Sequence, residues 1–98
     1  MSYRFDVRNE AEEDMQQARD WYDSQRVGLG EQFLDDVDEI FERIQQNPQH
    51  WAEEYRGVRK ARMRRFPYIV CFLLEDDLIE VVAVMHGSRH AREWQSRL

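Results

Sequence analysis

Two segments near the end of this 98-residue chain are apolar at both of the alternating sets of positions that a β-strand presents. They span residues 68–74 and 78–85, and the few acidic residues between them predict an antiparallel hairpin. Strict alternation divides the second strand into two apolar faces, formed by Val82 and Val84 and by Val81, Ala83 and Met85. Because a sheet that is apolar on both faces needs a cover on each, this hairpin constrains the fold more than any other segment.

The first quarter of the chain predicts a strand followed by a helix. Residues 3–7 alternate apolar and charged side chains, which is typical of a half-buried strand. Asn9 is predicted to cap a helix over about 10–24, because Glu12 stands at the capping-box position three residues later. The apolar face of this helix is formed by Ala11, Met15, Ala18 and Tyr22.

A second helix is predicted from Leu29 to Asn47, since the residue before Pro48 resists helical torsions. Its paired acids, Asp35–Asp36 and Asp38–Glu39, are expected on the outer, solvated side. A loop and then a period-two segment over 58–65 follow. The predicted order is therefore β-α-α-β-β-β. This is a small single α+β domain over residues 1–98, with the helix hairpin packed on one face of a mainly antiparallel sheet.

The helix hairpin can cover only one face of that sheet, so the second face needs another cover. Either the C-terminal segment supplies it through Trp94 and Leu98, or a partner chain does, and the sequence leaves both open. Cys71, the one cysteine, lies inside an apolar strand and is predicted to be a buried, inert thiol.

The net charge of −6 is divided very unevenly along the chain. Residues 1–54 carry five arginines against fifteen acidic residues, whereas residues 55–98 carry nine basic residues against five acidic ones. An acidic total argues against general nucleic-acid binding, but the basic half leaves a phosphate or carboxylate partner open. No apolar run approaches the roughly 18 residues of a membrane span, and the N-terminus has no signal-peptide core. We therefore expect a cytoplasmic protein without a membrane partner.

Six basic residues without an acid among them stand between positions 56 and 65. Alternation predicts Lys60, Arg62 and Arg64 as a row of cations on one strand face, about 7 Å apart. Arg59 and Arg65 are predicted on the opposite face. Such a row can follow phosphates or a carboxylate-rich partner. The alternative is an edge strand that its charges protect from aggregation.

His86 and Arg89 are candidate catalytic residues, because imidazole titrates near neutrality and a guanidinium binds phosphate well. The alternative is that His86 has only a structural role and forms hydrogen bonds at the end of its strand. His90 follows four residues later, but Gly87 interrupts the helical face that a shared metal ion would need. The sequence therefore predicts neither a metal nor a cofactor.

Six motifs occur in order along nearly the whole chain: Ala11-x-x-Asp14-Met15, Gly30-x-x-Phe33, Gly57-Val58-Arg59, Arg65-Phe66-Pro67-Tyr68, Val84-Met85-His86-Gly87-Ser88-Arg89 and Trp94-x-x-Arg97. Together they resemble the RelE/ParE superfamily of toxins from type II toxin–antitoxin modules, and within it the ParE-like plasmid stabilization group. The resemblance implies a cytoplasmic prokaryotic protein that inhibits growth and is neutralised by a co-encoded antitoxin.

The same resemblance implies one of two mechanisms. RelE-type members cleave mRNA on the ribosome, whereas ParE-type members poison DNA gyrase. Lys60, Arg62 and Arg64 resemble the basic row of the nuclease branch. Ile69, however, follows Tyr68 where that branch has an arginine, and Trp94 stands where a tyrosine is common.

A ParE-like binding toxin, possibly directed at gyrase, is therefore the function that we expect from the sequence. The residues expected to contact the target or the antitoxin are Arg59, Lys60, Arg62, Arg64, Arg65, His90 and Trp94. The alternatives are a ribosome-dependent endoribonuclease, in which His86 and Arg89 are catalytic, and an inactive relative that only binds antitoxin.

Overall fold

A computed structural model describes residues 3–88 and 92–98, and Arg89 and His90 therefore lie outside the described residues. The elements are β1 (Arg4–Val7), α1 (Asn9–Gln25), α2 (Leu29–Gln46), β2 (Glu53–Tyr55), β3 (Val58–Arg62), β4 (Tyr68–Glu75), β5 (Leu78–His86) and α3 (Arg92–Gln95). The strands form one sheet in the order β1-β5-β4-β3-β2, in which only the β1–β5 pair is parallel. The predicted α+β class, with a helix hairpin on one face of a mainly antiparallel sheet, is confirmed.

The strand β2 was predicted as loop. It pairs with β3 through a two-residue turn, since Tyr55 lies opposite Val58. Both turn residues have positive φ, 48° at Arg56 and 81° at Gly57, as a type I′ hairpin turn requires. Arginine is an uncommon residue at the first of these positions, so the sequence lacked the Asn-Gly or Asp-Gly signal that usually predicts such a turn.

The predicted capping box of the first helix is wrong. α1 begins at Asn9 itself, after Arg8 in an extended conformation, and no side chain caps the helix. The Arg8 backbone N–H is already used, because it donates to the Val81 carbonyl at 3.0 Å. Pairing with the sheet thus continues up to the first helical residue and fixes where the helix begins.

α2 packs on the sheet as its periodicity predicts. Its buried apolar side chains are Phe33, Val37, Ile40 and Ile44. Near its start, a Cβ atom on Gly30 would lie 2.6 Å from the Arg19 backbone carbonyl, so the two helices approach each other more closely than any larger residue allows. The Gly30 N–H donates to Asp23 Oδ1 at 2.7 Å and ties the hairpin together at this point.

The predicted alternation of the last strand is wrong because β5 contains a bulge. Phe72 lies opposite Val81 and Cys71 opposite Ala83, so Val82 is the extra residue. Val81 and Val84 consequently face the helices. The second face instead receives Val82, Ala83 and Met85.

The second face of the sheet is covered by the chain itself. Trp94 of α3 is 4% exposed and packs with Val58, Cys71 and their neighbours. Leu98, the other predicted cover, is 41% exposed. Burial raises the pKa of the Cys71 thiol to about 12, so this side chain is not a thiolate at neutral pH. The prediction of a buried, inert thiol is confirmed. Within the described residues, no helix has the length and apolar character needed to cross a membrane.

Candidate functional site

The basic run does not form the predicted row. β3 ends at Arg62, and beyond it the Arg64 guanidinium lies 3.2 Å from Glu39 of α2. Because α2 packs on the opposite face of the sheet from Trp94, Arg64 leaves the face that Lys60 and Arg62 share. Alternation failed here since β3 ends at Arg62, three residues before the end of the basic run at Arg65.

Two of the remaining cations are used inside the fold. Lys60 Nζ lies 3.5 Å from Glu54 Oε1 and 5.3 Å from the ring centroid of Trp94. Arg59 donates to the Trp51 carbonyl at 2.6 Å and pairs with Glu53 at 3.3 Å. These contacts hold the edge strand β2 and the C-terminal helix against β3, which is a structural role for both side chains.

Arg62 and Arg65 are the basic residues of the run that remain exposed and have no side-chain partner among residues 3–88 and 92–98. The Arg62 guanidinium lies 3.9 Å from the position that a Cβ on Gly87 would take, so it stands beside the end of β5. Each guanidinium is thus available to a phosphate or a carboxylate of another molecule.

His86 lies at the same corner of the sheet as Arg62. Its Nδ1 accepts the Ser88 N–H at 3.1 Å and is 2.8 Å from the Ser88 hydroxyl. Because a backbone N–H can only donate, Nδ1 is the acceptor in this contact, which is the geometry of the tautomer that has its N–H at Nε2. The ring also packs edge-on against Tyr68, with centroids 5.3 Å apart. At this end of the sheet, the imidazole and the hydroxyl lie on the helix side and the Arg62 guanidinium on the opposite side, and each is a group that can bind an anion.

The other predicted site residues divide into two groups. Trp94 is a core residue that covers the second sheet face, whereas Arg89 and His90 lie outside the described residues. In the described part of the chain, no group of three or more potential ligands is arranged to hold a metal ion.

Sequence reasoning missed Asp36, which was predicted on the solvated side of α2 and is 2% exposed. Its Oδ2 accepts the backbone N–H groups of Arg65 and Phe66 at 2.9 and 3.0 Å. The carboxylate therefore fixes the turn between β3 and β4, and with it the base of the Arg65 side chain. The signal was weak but present, since residue 36 belongs to the buried stripe with Phe33, Val37 and Ile40.

A second feature that the sequence did not reveal is the ion pair between α1 and the C-terminal segment. Arg97 donates to both Asp14 carboxylate oxygens, at 2.7 and 3.0 Å, and to the Val82 carbonyl at 3.0 Å. Both side chains are mostly buried, and the hydrogen bond to Asp14 raises the pKa of the Arg97 guanidinium above its ordinary value. This pair fastens the chain end beside β5.

A family model described as the ParE toxin of the type II toxin–antitoxin system, parDE, matches residues 5–91. Two relatives, each named Toxin ParE2 and each from a strain of Mycobacterium tuberculosis, are 31% identical over 88 residues, which is 89% of this chain and 84% of theirs. The chain belongs to the ParE toxin family.

Solved structures agree with this family at the level of the fold. A chain of the chromosomal ParDE system from P. aeruginosa superposes with a TM-score of 0.73 at 21% identity, covering 86% of this chain and 95% of that one. A double-arginine mutant of the E. coli toxin RelE in the free state gives 0.67 at 19% identity, covering 99% and 94%. The ParE toxin described here thus shares its architecture with both branches of the RelE/ParE superfamily.

Proposed function

We propose that this ParE-family protein inhibits growth in the cytoplasm by binding a cellular target, with DNA gyrase as the first candidate, and that a co-encoded antitoxin neutralises it. Such a module would stabilise the plasmid or chromosomal region that carries it. The proposal of a binding role rests on one observation: residues of the basic run form ion pairs within the chain. Arg59, Lys60 and Arg64 are paired with acids of the same chain, so half of the six cations of the run are engaged within the fold and not arranged around a reacting phosphate.

Supercoiling by purified gyrase tests this target directly. We expect the protein to inhibit supercoiling in a concentration-dependent way. We also expect Arg62→Glu combined with Arg65→Glu to weaken inhibition about tenfold or more, because both exposed cations change sign. Arg64→Glu is the matched control, since that guanidinium is already paired with Glu39. Supercoiling that proceeds unchanged at every concentration of the wild-type protein would remove gyrase as the target.

A ribosome-dependent endoribonuclease is the second candidate, and the observation that favours it is the corner where His86 and Ser88 are in contact, with Arg62 on the other face of the sheet beside Gly87. Cleavage of RNA by its 2′-hydroxyl needs a general base, a general acid and a cation at the phosphate. The corner supplies one imidazole and one guanidinium from the described residues. Primer extension on mRNA after induction separates the two functions, because new cleavage sites would support the nuclease and contradict the binding mechanism.

The antitoxin is expected to contact the exposed cations of the toxin with an acidic segment. Titrating the product of the neighbouring reading frame onto the toxin should give an affinity that Arg62→Glu lowers about tenfold, since one contact becomes a like-charge repulsion. Arg64→Glu should lower it by less than about twofold, because its partner Glu39 already neutralises it. Equal losses in the two variants would indicate a general charge effect and contradict a contact at Arg62.

A further inference from the structure

On one side, β5 has a neighbouring strand along only part of its length. β1 pairs with it from Leu78 to Val81, and the chain then turns into α1. Beyond Val81, the described part of the chain places no strand beside β5 on this side. Because alternate residues of a strand direct their backbone groups to the same side, Val84 and His86 present theirs along this open edge. An open edge is a template on which another extended chain can pair.

A groove of about 820 Å³ lies between α1 and the open edge. Glu13 and Trp21 line it from α1, Tyr68 from β4 and His86 from β5. Trp21 is 57% exposed, although it is among the largest apolar side chains of the protein. A sheet edge flanked by aromatic rings and an acid combines backbone hydrogen bonds with side-chain pockets, as sites for extended peptides do.

The chain's own Arg97 indicates which side chain this edge accepts. Its guanidinium lies between the Asp14 carboxylate and the Val82 carbonyl, while Asp14 also accepts the Val84 N–H at 3.0 Å. A guanidinium is therefore already held by a carboxylate of α1 and a carbonyl of β5 together. Glu13, the next residue of α1, is exposed and has no ion-pair partner among the described residues.

We propose that this groove binds an extended segment of a partner protein in which a basic side chain alternates with apolar ones. The segment pairs with the Val84 carbonyl and the His86 N–H of β5, since the Val84 N–H already donates to Asp14, and it places its basic side chain against Glu13. Its apolar side chains pack on Trp21 and Tyr68. The acidic character of residues 1–54 favours a basic segment over an acidic one. The groove lies on the helix side of the sheet, opposite to the Arg62 side chain, and the proposal does not depend on the toxin function.

A short fluorescein-labelled peptide of alternating arginine and valine is a suitable probe, measured by fluorescence anisotropy with the full-length protein. We expect saturable binding, and an affinity at least about tenfold lower for the peptide in which glutamate replaces arginine. A third peptide carries N-methyl groups on alternate backbone amides. It retains the charges and loses the ability to pair with a strand, so it should also bind at least about tenfold more weakly.

Two neighbouring substitutions on α1 localise the site. Glu13→Lys should lower the affinity for the arginine peptide about tenfold, because it reverses the charge in the groove. Glu12→Lys makes the same change on the adjacent exposed residue, which does not line the groove, and should have less than about a twofold effect. Equal losses in both variants, binding that N-methylation leaves unchanged, or no binding of the arginine peptide would each overturn the proposal.

Discussion

Asp36→Ala is expected to lower the free energy of unfolding by about 2–3 kcal/mol, since a buried donor left without a partner costs about 1–3 kcal/mol. The substitution removes the acceptor of two backbone N–H groups, those of Arg65 and Phe66. Part of the loss is offset, because the other carboxylate oxygen, Oδ1, is buried without a partner and its desolvation is no longer required. Urea denaturation followed by circular dichroism measures the change.

Two further substitutions separate the lost acceptor from other effects. Asp35→Ala removes the adjacent, exposed carboxylate and should change stability by less than about 0.5 kcal/mol. Asp36→Asn retains a carbonyl oxygen that can accept both N–H groups, so it should cost less than half as much as Asp36→Ala. If Asp36→Ala proves as mild as Asp35→Ala, the turn between β3 and β4 does not depend on this carboxylate.

Trp94→Ala is expected to have the largest effect on stability, about 3–4 kcal/mol, because it removes a buried aromatic side chain and leaves a cavity. It also removes the ring that Lys60 and Tyr55 contact. Trp21→Ala deletes the same side chain at a position that is 57% exposed, and should cost no more than about 1 kcal/mol. Urea denaturation of the two variants gives the comparison.

The Cys71 thiol reports whether Trp94 covers the second sheet face locally. In the wild-type protein this thiol is 2% exposed, and a thiol reagent should modify it only very slowly. We expect Trp94→Ala to accelerate the modification more than Asp36→Ala does, after correction for the measured stabilities, because only the former uncovers the thiol without global unfolding. Equal corrected rates would contradict a local cover.

The sequence predicted the fold well where a periodic pattern and its tertiary environment agree. The stripe of Phe33, Val37 and Ile40 became the buried face of α2, and the two-sided hairpin of β4 and β5 became the centre of the sheet. Pattern reasoning failed where one residue departs from the period, as at the bulge of Val82 or the early end of β3. Such departures are decided by packing between elements, which a local pattern does not contain.

The candidate site was harder to predict than the fold, since charge in the sequence does not reveal pairing in space. Lys60 and Arg64 are the two ends of the predicted row, yet they pair with acids on opposite faces of the sheet, Glu54 and Glu39. Asp35 and Asp36 are adjacent residues of the same type, but only Asp36 is buried. In each case the partner is distant in sequence or belongs to another element, so only the folded arrangement reveals which charges remain available.

The bulge at Val82 decides which face of the sheet carries His86. If the same residues formed a strand without a bulge, strict alternation would carry His86 to the side of Trp94 and Lys60, away from the helices. With the bulge, His86 lies opposite Tyr68, next to α1. Deleting Val82 itself would remove the bulge and leave His86 opposite Tyr68, because Phe72–Val81 and Cys71–Ala83 are already partners on either side of it.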